Sequence, residues 1–262
     1  MQYKTMREAR FLERPNRFVA IVELDGKKEK VHVKNTGRCR ELLQPGVRVW
    51  LEDSRAGEDG PVQSSEGKGG QMAESAARSG AAANPKAAPR KTRYDLITVE
   101  KGRRLVNMDS QAPNKAAEEA LRAGNLRIPG FDPEVMTLQR EKTLGDSRFD
   151  LYLEQEGRKA YIEVKGVTLE EEGICRFPDA PTERGMKHLK GLEEAAAAGH
   201  TAAVLFVIQM KDVVRFEPHE ERHKAFADAL RHAAANGVQV LACDCRVTPD
   251  SMNLKDPVPV IL

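Results

Sequence analysis

The chain has 262 residues, 40% hydrophobic and 31% charged, which is enough for one large domain or two modest ones, each with its own core. Its longest apolar stretch, "AAVLFVI" from Ala202, is too short to cross a bilayer, and no apolar run follows Lys4, Arg7, Glu8 and Arg10, so a soluble cytoplasmic protein without a secretory leader is expected. The net charge of +2 conceals an asymmetry: residues 1–105 hold 22 Lys and Arg against 14 Asp and Glu (+8) and the remainder 20 against 26 (−6), so a polyanion partner suits the first part.

In chain order, "RFVAIVELD" (17–25) alternates as a strand does, and "KKEKVHVKNT" follows an Asp25-Gly26 turn, which predicts a hairpin. "GRCRELLQPG" is a turn or short helical piece closed by Pro45-Gly46. "VRVWLED" is the next strand, with Trp50 partly buried, and "TRYDLITVEKGRRLVNM" supplies two more. Residues 53–90 between them hold too few apolar groups to offset the entropy of ordering, and are read as a flexible insertion in a loop. Five strands between 14 and 108 fit an OB-like five-stranded β-barrel as a domain over 1–108, with an SH3-like barrel as the alternative. Phe18 is assigned to its core.

A second domain is expected over 109–262. "NKAAEEALRAG" is a helix, "EVMTLQREKT", "RFDLYLE" and "KAYIEVKG" are strands, and "TERGMKHLKGLEEAAAAG" is a helix with Thr182 as N-cap and Gly199 beyond its end. Strand "TAAVLFVIQM", helix "ERHKAFADALRHAAANG" and strand "VQVLACD" complete an α/β layer arrangement. The four cysteines, Cys39, Cys175, Cys243 and Cys245, show neither a disulfide framework nor zinc-type pairing and are read as buried free thiols, the last two on one strand face.

The stretch "RFDLYLEQEGRKAYIEVKG" (148–166) carries the chemistry. With a two-residue turn at Glu156-Gly157, Tyr152 faces Tyr161, Glu154 faces Lys159 and Asp150 faces Glu163. Phe149, Leu151, Leu153, Ala160, Ile162 and Val164 then make one apolar face. Asp150 and Glu163 share the other with Lys165. Opposed carboxylates repel unless a cation intervenes. Mg²⁺ or Mn²⁺ is the expected cofactor, because a hard divalent ion often takes only one or two protein carboxylates and leaves room for water and phosphate. Lys165 can then stabilise charge on that phosphate. Glu141, at the end of the preceding strand, is a candidate third acid. The αβββαβ order with Asp, Glu and Lys resembles the PD-(D/E)xK nuclease-like fold.

"RFLERPNRF" (10–18), "HVKNTGRCREL" (32–42), "GDSRFDLYL" (145–153), "YIEVKGVTL" (161–169) and "FPDAPTERGMKHL" (177–189) together resemble the sugar fermentation stimulation protein A family. The resemblance implies an N-terminal OB-like domain, a C-terminal nuclease-like domain, non-specific DNA binding and a role in regulating sugar (maltose) metabolism genes. The chain departs from the family with Lys34 in place of a frequent Pro, Cys39 in place of Met, and Gly166 where Asn is common. Candidate phosphate contacts are Arg14, Arg17, Lys34, Asn35, Arg38 and Arg40, with Thr36 and Gly37 as further donors. On the second helix, Arg184 and His188 form an i,i+4 row toward the acidic hairpin and a phosphate, and these two, with Lys187, which can also pair with Glu183, are further candidate DNA contacts. Two activities stay open: DNA binding alone, and a Mg²⁺-dependent nuclease using Asp150, Glu163 and Lys165. A scaffold role with incidental charge is the third.

Overall fold

A computed structural model of the chain describes residues 1–35, 37–55 and 92–262. Of the insertion expected at 53–90, all but the first three residues lie outside that set, as does Thr36. The first sheet contains β1 (Met6–Asn16), β2 (Val19–Leu24), β3 (Lys27–Val33), β4 (Arg48–Asp53), β5 (Tyr94–Lys101) and β6 (Arg104–Asn107), in the order β3-β2-β1-β4-β5-β6. A parallel contact between β3 and β5, through His32↔Asp95 and Val33↔Leu96, closes the first five strands into an OB-like barrel. The Asp25-Gly26 turn has positive φ at both residues, +52° and +74°, as a two-residue hairpin requires. "GRCRELLQPG" forms turns and no helix.

The barrel is five-stranded as expected, but its members differ from the expected five. β1 was not anticipated, and β6 lies beyond the closure. Only Ala9 and Phe11 of β1 are buried, and Arg7, Glu8, Arg10, Glu13 and Arg14 mask the alternation. Its strand character comes from pairing on both sides, with β2 and with β4.

Downstream come α1 (Ala112–Arg122), β7 (Thr137–Leu144), β8 (Ser147–Gln155), β9 (Arg158–Val167), β10 (Glu170–Glu171), β11 (Ile174–Phe177), α2 (Glu183–Ala197), β12 (Thr201–Ile208), β13 (Arg215–Pro218), α3 (Glu220–Ala235), β14 (Gln239–Thr248) and β15 (Ser251–Pro257). The larger sheet has the order β15-β14-β12-β9-β8-β7, with β9, β12 and β14 parallel. β10, β11 and β13 make a small separate sheet. On one face of the large sheet α1 packs Ala116, Ala117, Ala120 and Leu121 against Leu151, Ile162, Leu205 and Cys245. On the other, α2 and α3 bring Leu189, Leu192, Phe226 and Leu230 to Tyr161, Val204 and Phe206. This is the expected nuclease-like α/β domain. Thr182 caps α2 by accepting from Gly185 N at 3.0 Å, as its sequence indicates. All four cysteines are free and buried, and burial pushes the Cys39 and Cys175 thiols up to about 12. No helix among the described residues is long and apolar enough to cross a membrane.

Buried polar contacts pin the first sheet both to the end of β12 and to β10 of the small sheet. Gln209 Nε2 donates to the carbonyls of Asn107 (2.9 Å) and Asp109 (3.1 Å), and Asn107 N donates to Gln209 O at 2.9 Å. Glu170, 4% exposed on β10, accepts from Lys101 Nζ at 2.6 Å and Gly173 N at 2.5 Å, and lies 2.7 Å from Arg104 Nη1. Burial alone would raise its carboxyl, but these donors outweigh it and hold it at about 2.

Candidate functional site

The Glu156-Gly157 turn, with φ of +49° and +79°, sets the register read from the sequence: Leu151↔Ile162, Tyr152↔Tyr161 and Glu154↔Lys159 are paired. That ladder stops at Leu151, so Asp150 is not a ladder partner of Glu163. Its carboxylate replaces the missing rung. Asp150 Oδ2 accepts from Val164 N at 2.8 Å, and Oδ1 accepts from Asn114 Nδ2 of α1 at 2.8 Å. The disruption also turns Phe149 away from the face it was expected to share with Leu151. Its ring packs toward α2 instead, 5.7 Å from Tyr161 and 6.4 Å from His188. Gly191 leaves room for it, since a Cβ there would lie 3.1 Å from Phe149 Cζ.

Glu163 is buried, 3% exposed. Its Oε1 accepts from Lys165 Nζ at 2.5 Å and is also bonded to His188 Nδ1, while its Oε2 is buried with no hydrogen-bond partner. Burial raises the Glu163 carboxyl, but the His188 hydrogen bond and the Lys165 charge together carry it below its ordinary range. Asp150 moves the other way. Burial, and then the nearby Glu163 charge, hold its carboxyl above the ordinary range. The oxygens available to a cation are therefore Glu163 Oε2 and the Asp150 carboxylate. Among the described residues no three His, Cys, Asp or Glu side chains converge into a metal cage. Two carboxylates suit an ion that keeps most of its positions for water and phosphate oxygens.

Other candidates distribute unevenly around this pair. Arg184 and His188 do form a row toward the hairpin, with Arg184 Nε 3.5 Å from His188 Nε2. Glu141 stands across from Asp150 by register, but its φ of +58° takes it out of the β7–β8 ladder, and its carboxylate lies 3.6 Å from Arg148 with 61% exposed. It is not brought to the pair. Lys187 is exposed on α2, and among the described residues it makes no ion pair with Glu183. Asn114, which aims Asp150, was missed; a short polar residue in the first turn of a helix carries no signal of a partner 36 positions away.

In the barrel three of the expected phosphate contacts, Arg14, Lys34 and Asn35, are engaged within the protein. Arg14 spends both terminal nitrogens on carbonyls: Nη1 donates to Gly37 O and Arg38 O at 2.7 Å, and Nη2 to Arg17 O at 2.7 Å and Asn35 O at 2.6 Å. It holds the 35–38 loop in place. Lys34 Nζ lies 3.3 Å from both Asp95 and Asp109, in a part-buried ion cluster. Asn35 serves the same loop, its Oδ1 accepting from Gly37 N at 2.8 Å. Arg17, Arg38 and Arg40 are exposed and, with Arg14, Asn16 and Leu43, line an open groove of about 350 Å³. Among the described residues their guanidinium groups form no ion pair. Phe18, assigned to the core, is 46% exposed with Arg17 Cζ 5.0 Å from its ring centroid. Trp50 is half-buried as expected, with Arg48 Cζ 5.6 Å from its ring.

Residues 111–251 match the model of the sugar fermentation stimulation protein RE domain, and residues 12–61 that of the SfsA N-terminal OB domain. A sugar fermentation stimulation protein homolog of Desulfitobacterium hafniense (strain DSM 10664 / DCB-2) is 49% identical over 262 residues, covering 100% of this chain and 99% of the relative. A homolog from Clostridium beijerinckii is 45% identical over 262 residues, with 100% of each chain covered. The chain belongs to the sugar fermentation stimulation protein family. The solved structure of Pyrococcus furiosus SfsA in complex with Ca²⁺ shares its fold, with a TM-score of 0.76 and 25% identity over 100% of this chain and 98% of that one.

Within this family the chain's Gly166 has a local reason. A Cβ there would meet Gln209 Oε1 at 2.5 Å and Pro113 Cγ at 2.8 Å, so in this packing the position beside Lys165 admits no side chain. The neighbouring cleft, about 150 Å³, is walled by Asn35 and Gly37 of the barrel and by Ser110, Gly166, Thr168 and Gln209. Barrel and second sheet thus meet at this cleft.

Proposed function

We propose that this protein binds DNA without sequence preference through the barrel groove of Arg17, Arg38 and Arg40. The observation that carries the reading is the set of exposed guanidinium groups with no carboxylate partner among the described residues, beside the Asn35, Gly37 and Arg38 carbonyls that Arg14 holds. Such groups contact phosphates, which position a protein on a strand but carry no base information. A regulatory role in sugar (maltose) metabolism genes, exercised in the cytoplasm, would act through this binding. Removing one phosphate-binding arginine should flatten the dependence of log K on log salt by about 0.7 to 0.9. The triple variant Arg17→Ala, Arg38→Ala, Arg40→Ala should therefore bind more weakly with a slope shallower by about 2 to 3. Wild-type affinity and slope in that variant would remove the groove from consideration.

A second reading, a Mg²⁺- or Mn²⁺-dependent nuclease, is favoured by one specific observation: the buried, unpartnered Glu163 Oε2 beside Asp150. That the Pyrococcus furiosus relative is described with Ca²⁺ agrees with a divalent ion in this fold. Asp150 and Glu163 would hold the ion, and an ion bound there supplies positive charge to a phosphate and acidifies a water. The chain's own side chains prepare the place: Asn114 and Val164 N orient Asp150, His188 orients Glu163, and Lys165 sets an ammonium beside them for a phosphate oxygen. Metal-dependent cleavage that disappears in Lys165→Ala tests this reading.

A further inference from the structure

The groove has a feature that a phosphate contact alone does not explain. Phe18 occupies the tight turn between β1 and β2, where its N–H donates to Asn16 Oδ1 at 2.9 Å, and its ring is 46% exposed. Exposure of so large an apolar ring contributes nothing to folding. The Arg17 guanidinium, which lines the arginine groove, lies over one face of the ring, with Cζ 5.0 Å from its centroid, and the opposite face is the one a ligand could use. An aromatic face set among cationic side chains is what an unpaired base stacks on, while the backbone follows the positive groove. In a duplex the bases already stack on one another and offer the protein only their edges, so this ring would have little to bind.

We infer that the nucleic acid this protein takes is single-stranded, with an unpaired base stacked on Phe18 and the phosphates of the same strand held by Arg17, Arg38 and Arg40. The inference rests on the DNA-binding reading above and narrows its substrate class.

The test compares one mixed-sequence oligonucleotide with its own duplex across a salt series, using wild type, Phe18→Ala, Phe18→Leu and Phe18→Trp. Single-strand affinity should exceed duplex affinity in wild type. It should fall on the order of 10-fold in the Ala and Leu variants and return in the Trp variant, with the salt slope unchanged. Duplex affinity should change less than about 2-fold across the set, because no base stacks on the ring. Equal losses on both forms, no loss on either, or full retention by Phe18→Leu would overturn the stacking role. Failure of this inference alone is recognisable: wild type would bind duplex as well as single strand, with a slope still set by the three arginines. Absence of binding to either form at low salt would instead defeat the groove reading, and this inference with it.

Discussion

Glu170 is the point at which acidity should loosen the first sheet from the small β10-β11-β13 sheet. Its carboxylate receives Lys101, Arg104 and the Gly173 N–H while 4% exposed, and it is held at about 2 against an ordinary 4.5. A depressed carboxyl contributes stability that is complete above the unfolded value and disappears as pH falls through the folded one. The difference between 4.5 and about 2 corresponds to roughly 3 kcal/mol at neutral pH, and to about half of that at pH 3. Glu170→Gln keeps the shape and removes the charge. Urea denaturation of wild type and variant at pH 7, 5, 4 and 3 should therefore give a stability gap of roughly 3 kcal/mol that stays level to about pH 5 and then narrows to about half by pH 3. A gap independent of pH, or one below about 0.5 kcal/mol at pH 7, would refute the assignment of Glu170 as a charged pin.

Arg14→Ala should cost roughly 2 to 4 kcal/mol in denaturant, since four carbonyls lose a charged donor, and should leave the salt slope of DNA binding almost unchanged; a normal stability with a flattened slope would make Arg14 a phosphate contact after all. Mg²⁺ or Mn²⁺ at about 100 times its Kd should raise stability by about 2.7 kcal/mol, and Asp150→Asn or Glu163→Gln should abolish that gain, as calorimetry with and without the ion would show. Because the Asp150 carboxyl is raised in the fold, its unfavourable charge should be relieved as pH falls through its folded value, so Asp150→Asn should stabilise the metal-free protein slightly at pH 7 and by less as the pH falls. Lys165→Ala should keep the metal response, and loss of the response in that variant would tie Lys165 to the ion itself.

Local patterning carried much of this protein. Alternation and the Asp25-Gly26 and Glu156-Gly157 turns determine two hairpins and their registers, because a two-residue turn leaves one pairing and a period of two leaves one buried face. The Thr182 cap and the placement of Arg184 and His188 four residues apart on α2 are equally local, and so is the presence of Asp150, Glu163 and Lys165 on one hairpin. What sequence could not determine depends on contacts between segments far apart in the chain. β1 is a strand because β2 and β4 flank it, although its own side chains are mostly charged. Arg14 looks like a phosphate ligand until Asn35, Gly37 and Arg38 fold beside it and, with Arg17, offer it four carbonyls. Lys34 meets Asp95 and Asp109 only when the barrel closes and joins α1. The same applies at the site, where the ladder breaks at Asp150 and Asn114 arrives from another element to aim its carboxylate. A hydrogen-bonding side chain has the same chemistry wherever it lies. Tertiary packing decides whether its partners are supplied by the protein, as for Arg14, or are lacking among the described residues, as for the Arg17, Arg38 and Arg40 guanidinium groups and Glu163 Oε2.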